Sequence, residues 1–234
     1  MMTFTSIASG SSGNAYLVEA TGSSPLLIEA GRPISKLREA LNFRLTGLAG
    51  CLVSHEHLDH AKAVKDLLKA GIECFMSRGT AEALGVQDHH RLNIVMAGVS
   101  KRIGSWTIMP FALEHDAAEP LGFVISDGED RLLFVPDTGF VVNRFDGITL
   151  AVLECNHIGT VLIDNVIDGN LPAVVARRIR RNHLSLEVLK ELIKANDFSR
   201  CRQLWLIHLS DGNSIETQMK REIQELLGVP VYVA

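Results

Sequence analysis

The chain has 234 residues, 47% hydrophobic and 21% charged, a balance that excludes a disordered or fibrous protein and allows a sizeable core. The formal net charge of -4 excludes a protein that is basic all over, such as a nucleic-acid coat, but leaves room for a local basic patch. Nine histidines stand against two tyrosines and two tryptophans, and they are unevenly spread.

No basic residue precedes Arg32, so the start lacks the charged region of a signal peptide. The longest weakly charged run, 147–163, is interrupted by Glu154 and His157, too early for a membrane span. A cytoplasmic protein without a membrane segment is expected. Cys51, Cys74, Cys155 and Cys201 form no Cys-x-x-Cys pair and read as small buried hydrophobes, not as a zinc ribbon or a disulfide framework.

Neither repeats nor linkers interrupt the chain, so one domain over 1–234 is expected. Short strands are predicted at 3–8, 15–19 and 26–29, separated by Ser9-Gly10-Ser11-Ser12-Gly13-Asn14 and Thr21-Gly22-Ser23-Ser24 turns. Pro33 opens a helix whose Ile34, Leu37 and Leu41 fall at helical spacing. Cys51-Leu52-Val53 is a buried strand ending at Ser54, and Ala61, Val64, Leu67 and Leu68 trace one helix stopping before Gly71, which places 55–60 in a strand-to-helix loop. Strands follow at 72–76, 92–96, 106–113, 121–126 and 132–135, with Asp127-Gly128 as a turn. A strand at 148–153, helices at 172–181 and 185–195, a strand at 204–207, a helix at 215–227 and a strand at 229–233 complete the pattern. Strands dominate the first half and strand-helix alternation the second, which suits an αββα sandwich of two mixed sheets flanked by helices better than a doubly wound sheet.

The strongest feature is Ser54-His55-Glu56-His57-Leu58-Asp59-His60, which puts four potential ligands within six residues at a strand end. Imidazole and carboxylate donors suit zinc, manganese or iron in a hydrolytic site. Adjacent Asp59 and His60 cannot join His55 and His57 on one ion without strain, which favours two ions, one on His55 and His57 and one on Asp59 and His60. Further ligands are expected from His115, Asp137 and His208, each at the end of a predicted strand.

This pattern resembles the metallo-β-lactamase-fold hydrolases. The spacing from His115 to Asp137 and the Asp137-Thr138 pair look like the tRNase Z branch. Ser9-Gly10-Ser11-Ser12-Gly13-Asn14, Leu27-Ile28-Glu29-Ala30-Gly31, His115-Asp116-Ala117, Glu154-Cys155-Asn156-His157, Asn182-His183-Leu184-Ser185 and His208-Leu209-Ser210 with Asn213 are similar to the YycJ/WalJ-type nucleases over almost the whole chain. Departures occur at Glu29, Pro136, Ile158 and Asn182; the ligand residues themselves are intact, so the departures bear on substrate preference.

The resemblance implies that His55, His57 and His115 hold one metal, that Asp59, His60 and His208 hold the second, and that Asp137 bridges. Two divalent ions about 3.5–4 Å apart bring a shared water to a pKa of about 7 and so supply a bridging hydroxide, with no covalent protein intermediate. Zinc or manganese is expected, with iron also suited. Between two helices, His183 matches a phosphate-contacting histidine of tRNase Z-like enzymes and is the candidate donor of a proton to the leaving oxygen; a helix cap is the plainer alternative. For His157 the alternatives are a contact that orients a ligand and simple packing, while His89 and His90 read as a solvated pair.

Two further features suit phosphate. Ser11, Ser12 and Asn14 lie in a glycine-rich loop with exposed N–H groups, which could equally be a tight hairpin. Arg177, Arg178, Arg180 and Arg181 form the one dense basic run, spread over more than one helix face, and would track a nucleic-acid backbone unless merely solvated. The expectation is a two-metal phosphodiesterase acting on nucleic acid, DNA before RNA, with the resemblance implying 5'-to-3' exonuclease activity. The rival is a small-molecule hydrolase of the same fold, acting on a thioester, lactone or cyclic phosphodiester.

Overall fold

A computed structural model describes residues 1–234. The strands belong to two mixed sheets, one of six strands and one of seven. The chain divides into two compact units, residues 1–112 with 117–130, and residues 113–116 with 131–234.

The first unit opens with β1 (Met2–Ala8), β2 (Ala15–Ala20) and β3 (Leu26–Ile28), an antiparallel meander in which Phe4 faces Val18 and Tyr16 faces Ile28. Helix α1 (Ile34–Ala40) follows Pro33, which sits at the cap, one position earlier than the sequence suggests. Then β4 (Gly50–Leu52) adds in parallel to β3. The single helix expected over 61–68 is instead two, α2 (Leu58–Ala61) and α3 (Val64–Lys69), so the loop after β4 ends at His57, while Asp59 and His60 are already helical. Strand β5 (Cys74–Met76), helix α4 (Arg78–Leu84) and β6 (Leu92–Ile94) complete the six-stranded sheet. Helix α4 is not foreseen in sequence; Ser77 caps it by accepting from the Thr80 N–H at 3.1 Å, and Gly85 ends it in the left-handed region. Three antiparallel strands follow, β7 (Lys101–Ile103), β8 (Trp106–Ala112) and β9 (Leu121–Ser126). A core of Leu27, Val53, Val64, Leu67, Met76 and their neighbours excludes water beneath the six-stranded sheet.

The second unit carries β10 (Arg131–Val135), β11 (Leu150–Glu154), helices α5 (Gly159–Ile167), α6 (Ala173–Asn182) and α7 (Leu186–Lys194), then β12 (Gln203–Ile207), α8 (Glu216–Leu227) and β13 (Val231–Val233). The four strands pair in parallel in chain order. Every residue of β11 is buried, the continuous apolar run expected of a strand covered on both faces, except that its last residue is Glu154. The Ser185 side chain caps α7 by accepting from the Val188 N–H at 3.2 Å. The four cysteines are buried and unbridged.

Candidate metal centre

In the first unit, parallel strands end where β4 meets the loop to α2, the usual place for a site in such sheets. The ring of His55 lies 4.7 Å from that of His57 and 4.2 Å from that of His60, centre to centre. His55 Nδ1 is 2.8 Å from Ser54 Oγ, which fixes its tilt. His60 Nε2 sits 3.4 Å from Asp59 Oδ2 and 3.1 Å from Asn14 Nδ2, with Glu29 Oε1 3.6 Å from its Nδ1. Glu29 is fully buried at the end of β3, and its other oxygen accepts from the Ser54 N–H at 3.3 Å.

Asn14 is placed differently from its sequence assignment to the substrate. It is fully buried, its N–H donates to the Asp59 carbonyl at 2.7 Å, and its side-chain amide reaches Asp59 O at 3.2 Å. Its role is to hold the Asp59-His60 turn. Gly31 closes the same knot, since a Cβ there would lie 1.7 Å from Asp59 O. Ser11 and Ser12 remain exposed, and Ser12 accepts a long contact of 3.4 Å from Arg32 Nη1.

The second unit gathers Asp137, Glu154, His183 and His208, whose donor atoms all lie within 4.8 Å of one another. His208 Nδ1 is 3.1 Å from Asp137 Oδ1 and 3.2 Å from Glu154 Oε1. His183 Nδ1 is 2.6 Å from the same Glu154 oxygen and 3.7 Å from Asp137 Oδ2. The other oxygen of Glu154 accepts from the N–H groups of Thr138 at 3.0 Å and Leu184 at 2.9 Å. Burial alone would raise the Glu154 pKa; the charge and hydrogen bond of His183 and the bond from His208 outweigh it and hold the carboxyl below its ordinary value. Burial likewise opposes a charged His183, yet the charge and hydrogen bond of Glu154 lift it above the usual imidazole value.

His208 has φ 55, a left-handed conformation costly for a side chain with a Cβ. Asn156 holds it there: its amide donates to His208 O at 3.0 Å, and its own carbonyl accepts from the Ser210 N–H at 2.9 Å. His115 is fixed by the last turn of α6, its Nδ1 2.9 Å from Asn182 O. A carbonyl can only accept, so Nδ1 carries the proton and Nε2 presents the lone pair, the tautomer that a metal ligand needs. Burial also pushes His115 below the ordinary imidazole value, against the pull of Asp137, which favours that neutral ring.

His183 occupies the cap position of α6, so the plainer alternative holds for its backbone while its ring faces Glu154. The orienting contact considered for His157 comes instead from Glu154: His157 is buried, its Nδ1 has no hydrogen-bond partner, and its backbone pairs with Ser185. The arginine run divides. Arg177, Arg178 and Arg181 line a cavity of about 450 Å³ with Glu114, His115, Asp116, Val174 and Asn182, while Arg180 is outside it. The 3- and 4-residue steps from 174 to 181 explain this, since they mark one face of a helix. His89 and His90 stack on each other at 4.7 Å in the polar segment after α4.

Nitrogen and carboxylate donors with buried carboxylates behind the histidines fit a divalent ion in both units. Among solved structures, the metallo-β-lactamase fold protein YhfI of Bacillus subtilis matches with a TM-score of 0.73 at 18% identity, over 100% of this chain and 97% of that one. Fold and donor sets together define a metal-dependent hydrolase of the metallo-β-lactamase fold. A family model described as a beta-lactamase superfamily domain matches residues 26–209. The exodeoxyribonuclease WalJ of Streptococcus pneumoniae is 30% identical over 96% of this chain and 90% of its own length, and the exodeoxyribonuclease YycJ of Bacillus anthracis is 28% identical over 96% and 88%. The chain belongs to the beta-lactamase superfamily, in its WalJ/YycJ branch. No helix is long and apolar enough to cross a membrane.

Proposed function

We propose that the chain is a two-metal phosphodiesterase that degrades DNA from the 5' end, working as one catalytic domain over 1–234 in the cytoplasm. The observation that carries this reading is the arginine-lined cavity on α6 that reaches His115, a site for a polyanion beside a metal ligand in a chain of net charge -4. The names of the relatives, both exodeoxyribonucleases matched across nearly the whole chain, support it.

In this reading His55, His57 and His115 would hold one ion, Asp59, His60 and His208 would hold the other, and Asp137 would serve both. Zinc or manganese suits these donors, and iron is compatible with them. The bound ions supply Lewis acidity at a phosphoryl oxygen and a water acidic enough to attack at neutral pH. Glu29 and Glu154 orient His60 and His208. His183, whose affinity for a proton Glu154 raises, gives its proton to the leaving oxygen. Arg177, Arg178 and Arg181 position the phosphate backbone, so binding weakens as salt rises.

The test incubates metal-loaded protein and its Asp59→Asn variant with end-labelled single- and double-stranded DNA and RNA, a generic phosphodiester and a glutathione thioester. Release of nucleotides from DNA by the wild type, lost in Asp59→Asn, is expected. Thioester turnover without DNA cleavage would establish the small-molecule hydrolase instead.

A further inference from the structure

The cavity beside α6 holds more information than a basic surface does. Arg178 is already committed: its Nε and Nη2 lie 3.1 and 3.0 Å from Asp116 Oδ2. The side chains of Arg177 and Arg181 form no ion pair or hydrogen bond, although both are exposed and one helical turn apart on the same face. Two uncommitted guanidinium groups at that spacing offer two forks of donors to one cavity, and such forks match phosphate oxygens.

The helix that carries them is anchored to the ligand set. Asn182, the residue after Arg181, accepts from His115, and Gly139 packs so closely on the same turn that a Cβ there would lie 1.9 Å from Arg181 O. The arginines are therefore set at a fixed place relative to His115 and to the Asp137-Thr138-Gly139 turn. A volume of about 450 Å³ falls in the range of small-ligand pockets and can hold a terminal phosphate.

We infer that Arg177 and Arg181 clamp the phosphate monoester at a DNA end, selecting phosphorylated ends over hydroxyl ends. A terminal monoester carries up to two negative charges and three non-bridging oxygens, where an internal diester carries one charge and two such oxygens. Two free guanidinium groups match the former. Glu114, the remaining carboxylate of the lining, opposes the clamp and sets its strength. This inference rests on the nuclease reading for its biological ligand, but its binding consequence can be measured without cleavage.

The experiment measures anisotropy of labelled single-stranded oligonucleotides whose terminal linkages are phosphorothioates to slow hydrolysis, ending in 5'-phosphate, 5'-hydroxyl or 3'-phosphate, with inorganic phosphate as competitor. The 5'-phosphorylated oligonucleotide should bind about tenfold more tightly than its hydroxyl counterpart, the worth of one charge-assisted contact. Arg177→Gln with Arg181→Gln should erase that ratio, Arg180→Gln should keep it, and Glu114→Gln should raise it. Equal affinity for the phosphorylated and hydroxyl ends, or a preference that survives in the double variant, overturns the clamp. A preference for the 3'-phosphate supports the clamp and contradicts the 5'-to-3' direction. Discrimination in binding with no DNA cleavage by the wild type leaves the clamp standing and removes the nuclease reading.

Discussion

The two units each place a buried glutamate at the end of a strand behind a histidine, and they hold it in different ways. Glu29 follows β3 in the left-handed region at φ 64, its N–H donates to Leu52 O at 2.8 Å, and its carboxylate accepts one backbone N–H from Ser54 and stands 3.6 Å from His60. Glu154 ends β11 with both oxygens engaged, by His183, His208 and two backbone N–H groups. In the first unit the orienting work is spread over Asn14, Gly31 and Glu29, whereas in the second it converges on one carboxylate. A carboxylate with four partners is a hub, and its loss disturbs two histidines at once. One with a single bond is a local brace.

Substitutions at these positions separate a hub from a brace. The largest effect is expected from Asp59→Asn, which removes a proposed ligand and should cut DNA hydrolysis beyond the roughly 100-fold that marks the upper range for partners behind the ligands. Glu154→Gln comes next, at about 100-fold in activity or metal affinity, because it uncouples His183 and His208 together. Glu29→Gln should cost about tenfold, the lower end of the same range, measured in the same assay. If these two glutamates cost equal amounts, the contrast between hub and brace is wrong.

Two changes test the backbone that carries the ligands. Gly31→Ala drives a methyl into Asp59 O and should lower unfolding free energy by about 1–3 kcal/mol or more, read as a drop in Tm. Asn156→Ala removes the bond that holds His208 O and should cost about 1 kcal/mol, the smallest of the set. A Gly31→Ala protein as stable as the wild type would show that the Asp59 turn is freer than its packing indicates.

The candidate ligands stand out in sequence because His55, His57, Asp59 and His60 crowd a single strand end, a local signal. The glutamates behind them do not. Glu29 reads only as a departure from the family pattern, and Glu154 as one letter of Glu-Cys-Asn-His, because their partners lie 31 and 29 residues away and only the fold brings them together. Asn14 misleads for a related reason: a glycine-rich loop suits phosphate, but Gly13 and Gly31 allow close backbone approach and turn the asparagine inward. The arginines look spread when read as four, and become a face when Arg180 is set aside. Most strands and helices follow from apolar periodicity, whereas β7, α4 and α5, short or mixed in polarity, do not, and the order of strands within each sheet is set by pairing that periodicity does not record.

Both donor sets are expected to be occupied together. Elemental analysis of the full chain, loaded with zinc or manganese and cleared of loosely bound ion, measures this directly. Two ions per chain are predicted for the wild type and one for His208→Ala, while a wild-type protein that binds a single ion would contradict the account.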